Sequence, residues 1–132
     1  MQLAGIHRDE PRARVTMGED MDRKRFQELV EQAFEQLPEV FRKKLTNVAI
    51  IVEDLPPRDM TERGLLLGLF HGIPGTEKSV FASNPPDRIY LYQRNIEAVC
   101  TTEEEVRRQI RATLRHEVGH FFGLSEDELR DV

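Results

Sequence analysis

His116-Glu117-Val118-Gly119-His120-Phe121-Phe122-Gly123-Leu124-Ser125-Glu126 lies close to the C-terminal end of a 132-residue chain. The first five residues match H-E-x-x-H. Positions four apart on a helix share a face, so His116 and His120 can hold one tetrahedral zinc ion between them. Glu117 has a separate task. Beside the first histidine, a glutamate can hold a water at the metal and take its proton once zinc has brought the water's pKa towards about 7.

Four histidines and sixteen glutamates in 132 residues produce this pattern by chance in about one chain in seventy, so the surrounding sequence has to carry the assignment. Upstream, Val106, Ile110, Leu114, Val118 and Phe121 recur as a helical core stripe. Thr101 or Thr102, each with a glutamate three residues on (Glu104, Glu105), supplies a capping box for its start. At about 100° per residue the two histidines sit roughly 100–140° round from the stripe, with Glu117 between them and the core. They can therefore line a cleft. Gly123 is placed to end the helix in left-handed geometry and turn the chain back, and Ser125 with Glu128 forms a second box that starts a terminal turn through Leu129. The reversal brings residues 125–127 towards the metal, with an acid, Glu126, three residues beyond the glycine.

The rest of the chain reads as one small α+β domain. Residues 1–20 contain Pro11 and Gly18, alternate in charge and lack a period, so they are expected to form a flexible tail, and Met17 and Met21 are alternative starts. From a cap at Asp20 or Asp22, Phe26, Leu29, Val30, Ala33, Phe34 and Leu37 follow the helical period until Pro38 stops it. Val40, Phe41 and Leu45 indicate a further short helical turn. Thr46–Glu53 is an unbroken β-branched run, expected to be a strand buried on both faces beneath helices. Gly64–Gly75, with its glycines and Pro74, reads as an edge strand entering a turn. Arg88–Gln93 alternates as a strand, and Asn95 can cap a short helix around Ile96–Val99.

Composition narrows the function. A net charge of −5 and a pI of 5.4 disfavour a nucleic-acid surface. The basic group Arg107, Arg108, Arg111 and Arg115 is interleaved with Glu103–Glu105, as on a solvated helix face. No apolar run approaches the ~20 residues of a membrane span, and the N-terminus lacks the apolar core of an export signal. With one cysteine, Cys100, no intrachain disulfide can form. A cytoplasmic protein is expected.

His116-Glu117-x-x-His120-x-x-Gly123-x-x-Glu126 resembles the zincins, in particular the extended metzincin motif with its third histidine replaced by an acid. The chain from residue 22 onward resembles small, single-domain bacterial zincin-like metallopeptidases, through Gly68-Leu69-Phe70-His71-Gly72-Ile73-Pro74 and Pro86-Asp87-Arg88-Ile89-Tyr90-Leu91-Tyr92 as well. The resemblance implies a minimal zincin-like domain over 21–132, with a small mixed sheet packed on helices and an edge strand over the cleft. It implies Zn2+ held by His116, His120 and Glu126, with Glu117 as general base. Gly68, Leu69, Phe70 and His71 would form the edge on which a peptide or protein substrate lies antiparallel. Only six residues follow Glu126, too few for a metzincin methionine turn. Asp127, Glu128 or a water therefore stand beside Glu126 as third-ligand candidates, and Tyr90, Tyr92 and His71 as candidate oxyanion donors. The rival function is a zinc module that holds the fold or recognises a partner peptide without cutting it. A protease dedicated to one regulatory protein is a third reading.

Overall fold

The computed structural model describes residues 21–72 and 86–124. The tail over 1–20 lies outside them, as do Ser125 and the residues after it. The elements run α1 (Arg23–Glu35), α2 (Glu39–Arg42), β1 (Val48–Glu53), a 3₁₀ helix (Arg58–Arg63), β2 (Gly68–His71), β3 (Asp87–Tyr92), α3 (Gln93–Ala98) and α4 (Glu103–Phe121).

Three strands form one mixed sheet in the order β1-β3-β2, with β3 parallel to β1 and antiparallel to β2. Helices α1 and α4 pack on each other and on one face of it. Ile89 and Leu91 of β3 meet Phe26 and Leu29 of α1 and Ile110 and Leu114 of α4 in a closed core, every one of these side chains inaccessible to solvent. At about 1.5–3 kcal/mol for each large side chain removed from water, this layer is the principal source of stability.

The strand over Val48–Glu53 differs from its expected setting. It is an edge strand, only partly buried along its length. Val48, Ile50 and Val52 lean on the core, but among the described residues β1 has a partner on one side alone. The alternating β3 holds the centre instead. Asn95 is likewise not a cap: α3 starts at Gln93, and the Asn95 amide, one turn inside, donates to the Leu66 carbonyl at 2.7 Å. Asp22 stands at the N-cap of α1 without a side-chain capping bond. The N-terminal end of α1 is held by α3, where Glu97 accepts from the Met21 amide at 3.2 Å and Gln93 donates to the Met21 carbonyl at 2.7 Å.

Of the four arginines of α4, Arg108 and Arg115 are exposed as expected, whereas Arg107 and Arg111 are half-buried and also reach α1. Arg107 pairs with Glu104 at 3.5 Å and with Glu103 at 3.9 Å, and also reaches Gln32 of α1. Arg111 donates to Gln36 at 3.1 Å. Together with the two-pronged contact of Arg25 on Glu103 (2.8 and 3.2 Å), these bonds fix how far along α1 the helix α4 is seated.

Candidate metal centre

The site is assembled by the last two turns of α4 and the turn that ends it. At the start of α4, Thr102 Oγ1 accepts the Glu105 amide at 3.1 Å, while the Glu105 carboxylate accepts from the Thr101 amide (2.6 Å) and hydroxyl (2.9 Å). The expected box is thus shared between two threonines, and these bonds hold the Glu105 carboxyl below its usual pKa.

Four turns later His116 and His120 emerge half-buried, their ring centroids 4.9 Å apart and the rings nearly perpendicular. Glu117 lies between them and the core, 7 % exposed. One ligand atom from each of His116, Glu117 and His120 falls within 4.8 Å of the other two, and the three are the candidate metal cluster among the described residues. Two imidazole nitrogens on a tetrahedral zinc stand about 3.3 Å apart, so the pair fits the ion after small side-chain rotations.

The helix end orients His120. Gly123 has φ +85°, its amide bonds the His120 carbonyl at 2.9 Å, and the Leu124 amide bonds the Gly119 carbonyl at 3.0 Å. This pair of bonds is a Schellman ending. It sets the Leu124 carbonyl 3.2 Å from His120 Nδ1. With the proton on Nδ1, that contact directs Nε2 towards the metal. The sequence pointed to the Gly123 reversal but not to this carbonyl, because a turn type does not by itself state which side chain it faces. Glu126, Asp127 and Glu128 lie outside the described residues.

Gly68 brings the sheet edge to the site. A Cβ there would lie 2.7 Å from Thr113 Cγ2, 2.9 Å from the Tyr90 carbonyl oxygen and 3.4 Å from Glu117 Cγ. Only glycine lets β2 pass so close to α4. Beside it, Leu65–Leu67 face Gln109 and Thr113 across a cleft of about 370 Å³ that reaches His116 and Glu117. The Tyr92 amide donates to the Leu67 carbonyl at 3.0 Å. Antiparallel alternation then turns Leu69 and His71 towards β3 and leaves the amides and carbonyls of Gly68 and Phe70 on the outer edge.

The side chains divide by the same alternation. Gly68 and Phe70 face α4, and the Phe70 ring stands edge-on to Phe121 at 6.1 Å. Leu69, His71, Tyr90 and Tyr92 line the opposite side of the sheet. The structure therefore brings Gly68 to the candidate metal centre and Phe70 against Phe121 of the same helix, and sets the side chains of Leu69, His71, Tyr90 and Tyr92 on the other side of the sheet.

The profile of the zincin-like metallopeptidases matches residues 45–132, two thirds of the chain and all of the site. The protein belongs to the zincin-like metallopeptidase family. Its fold is similar to that of a conserved hypothetical protein from Thermo thermophilus, with 26% identity, 76% of this chain and 92% of that chain covered, and a TM-score of 0.51. No curated protein matches the chain. The mixed three-stranded sheet with its H-E-x-x-H helix is a minimal zincin-like arrangement, and among its described residues no helix is long and apolar enough to cross a membrane.

Proposed function

We propose that this zincin is a zinc-dependent peptidase of the cytoplasm, with His116 and His120 as ligands, Glu126 completing the set, and Glu117 as general base. The observation that carries the reading is the convergence of His116, Glu117 and His120 beside the glycine edge of β2. Zinc, when held there, supplies a Lewis acid that polarises a scissile carbonyl and acidifies a water.

The remaining chemistry falls to the chain. His120 is held in one tautomer by the Leu124 carbonyl. Glu117 accepts the proton of the attacking water through its carboxylate and returns it to the leaving amine. Its burial keeps competing solvent from the carboxylate. The outward amides and carbonyls of Gly68 and Phe70 capture an extended peptide or protein substrate as an added antiparallel strand, and the residue opposite Gly68 meets no side chain on its way to the metal. That Cys100 is the single cysteine and forms no disulfide favours the cytoplasm.

Substituting Glu117→Gln tests the assignment. The variant is expected to bind one equivalent of zinc while peptide cleavage falls by about 100-fold or more. Cleavage at the wild-type rate would remove Glu117 from the mechanism. A zinc-loaded wild type that cuts no member of a mixed peptide library, yet melts far lower after chelation, would assign the site to holding the fold instead.

A further inference from the structure

The face of the sheet turned away from α4 carries a second cleft, of about 540 Å³, that takes no part in the metal centre. Strand alternation builds its floor from Leu69 and His71 of β2, Arg88, Tyr90 and Tyr92 of β3, and Glu53 of β1. Leu55 and Met60, from the connection between β1 and β2, form a wall.

Its polar groups are ordered along β3. His71 sits directly across from Arg88, which makes one end cationic, and Glu53 sits directly across from Tyr92, which makes the other end anionic. Four residues of strand separate the two ends, about 13 Å at 3.3 Å per residue. Between them the Tyr90 and Tyr92 rings lie parallel within 3°, their centroids 6.3 Å apart. That gap is too narrow to admit another ring, so they act as one apolar floor.

Among the described residues the polar groups of the cleft make no bond that the fold depends on. Tyr92 is 2 % exposed, and its hydroxyl makes no hydrogen bond among the described residues. Arg88, His71 and Glu53 likewise form no ion pair or hydrogen bond there. Tyr92 lines the cleft together with Tyr90, so a ligand there can offer its hydroxyl a hydrogen bond.

We propose that this cleft is a second ligand site for a short peptide with free termini. The terminal carboxylate lies on Arg88 and His71, the apolar body covers Tyr90 and Tyr92 against Leu55 and Met60, and the terminal ammonium faces Glu53. An extended peptide of about four residues, at roughly 3.4 Å each, spans the two ends. A ligand that is anionic throughout would meet repulsion at Glu53, and a cationic one at Arg88, so the charge order selects a zwitterion.

The protein contains no tryptophan and two tyrosines, Tyr90 and Tyr92, so its intrinsic fluorescence reports from this cleft alone. Zinc-loaded full-length protein carrying Glu117→Gln, which leaves the probe uncut, is titrated with the tetrapeptide Ala-Leu-Leu-Ala. A saturable change is expected, weakened about tenfold by C-terminal amidation or N-acetylation of the peptide. Arg88→Gln, an exposed position, should weaken the free peptide by the same factor and abolish the difference between acid and amide. Glu53→Gln should abolish the difference between free and acetylated amine. Absence of saturation, equal affinity for free and blocked peptides, or discrimination that survives Arg88→Gln would each overturn the proposal. The last outcome would show that a group other than Arg88 holds the carboxylate, independently of whether the metal centre cleaves.

Discussion

Gly123 contributes to the candidate metal centre without a side chain. Its positive φ closes α4 and points the Leu124 carbonyl at His120 Nδ1. An L-residue forced into left-handed geometry costs about 1 kcal/mol, and here the strain falls on the turn that orients a ligand. Gly123→Ala is therefore expected to lower stability by about 1 kcal/mol in urea denaturation and to weaken zinc about tenfold in competition titration, as loss of an outer hydrogen-bonding partner does. The same destabilisation with unchanged zinc affinity would show that the carbonyl does not orient the ring. At this scale the pairing of His116 with His120 was legible, because i,i+4 spacing leaves two histidines no option but one helix face. His71 was not. Leu69 and Phe70 are both apolar, so a four-residue strand gives no phase, and the phase appears only once Gly68 is seen against Thr113 and Glu117.

Among the elements, α4 was the most readable and β1 the least. Helix α4 carries its stripe, its cap and its stop in local sequence. Thr102 accepts the Glu105 amide while Thr101 receives the returning Glu105 carboxylate, so the two threonines are not equivalent. Thr102→Ala removes the only side-chain acceptor shown for an amide of the first turn and should cost about 1 kcal/mol in thermal or urea unfolding. Thr101→Ala keeps the backbone donor to Glu105 and should cost less. Equal losses from the two would contradict the division of labour. In β1 the β-branched run marked a strand correctly, but placement within a sheet is a long-range property. Its apolar residues serve both faces thinly, Val48, Ile50 and Val52 against the helices and Ile51 behind them, with no strand on the outer side among the described residues. Alternation in β3 reflects two dissimilar faces, one in the core and one flooring the second cleft. Such a strand sits at the centre as readily as at an edge.

For the molecule as a whole, buried neutral acids tie folding to alkaline pH. Burial in the core pushes the Cys100 thiol above its usual pKa, with Glu105 and Glu97 adding to the effect. Burial likewise raises the Tyr92 hydroxyl, assisted by Tyr90, Glu53 and Glu117. Both groups bind their protons more tightly folded than unfolded. The stability they confer is therefore complete below the unfolded pKa values, about 8.5 for Cys and 10 for Tyr, and is lost as pH rises through the higher folded values. Glu105 acts in the opposite sense: its lowered pKa confers stability above about pH 4.3 that disappears as pH falls. The melting temperature of the chelated protein should then be nearly level from about pH 5 to 8 and decline on both sides. Because Cys100 titrates first in the unfolded chain, Cys100→Ala should flatten the part of the alkaline decline that begins near pH 8.5, and Tyr92→Phe the part that begins near pH 10, whatever each substitution does to stability at pH 7. Calorimetry of the three proteins between pH 4 and 11 separates the contributions. An alkaline decline unaltered in both variants would mean that groups other than these two govern unfolding in base.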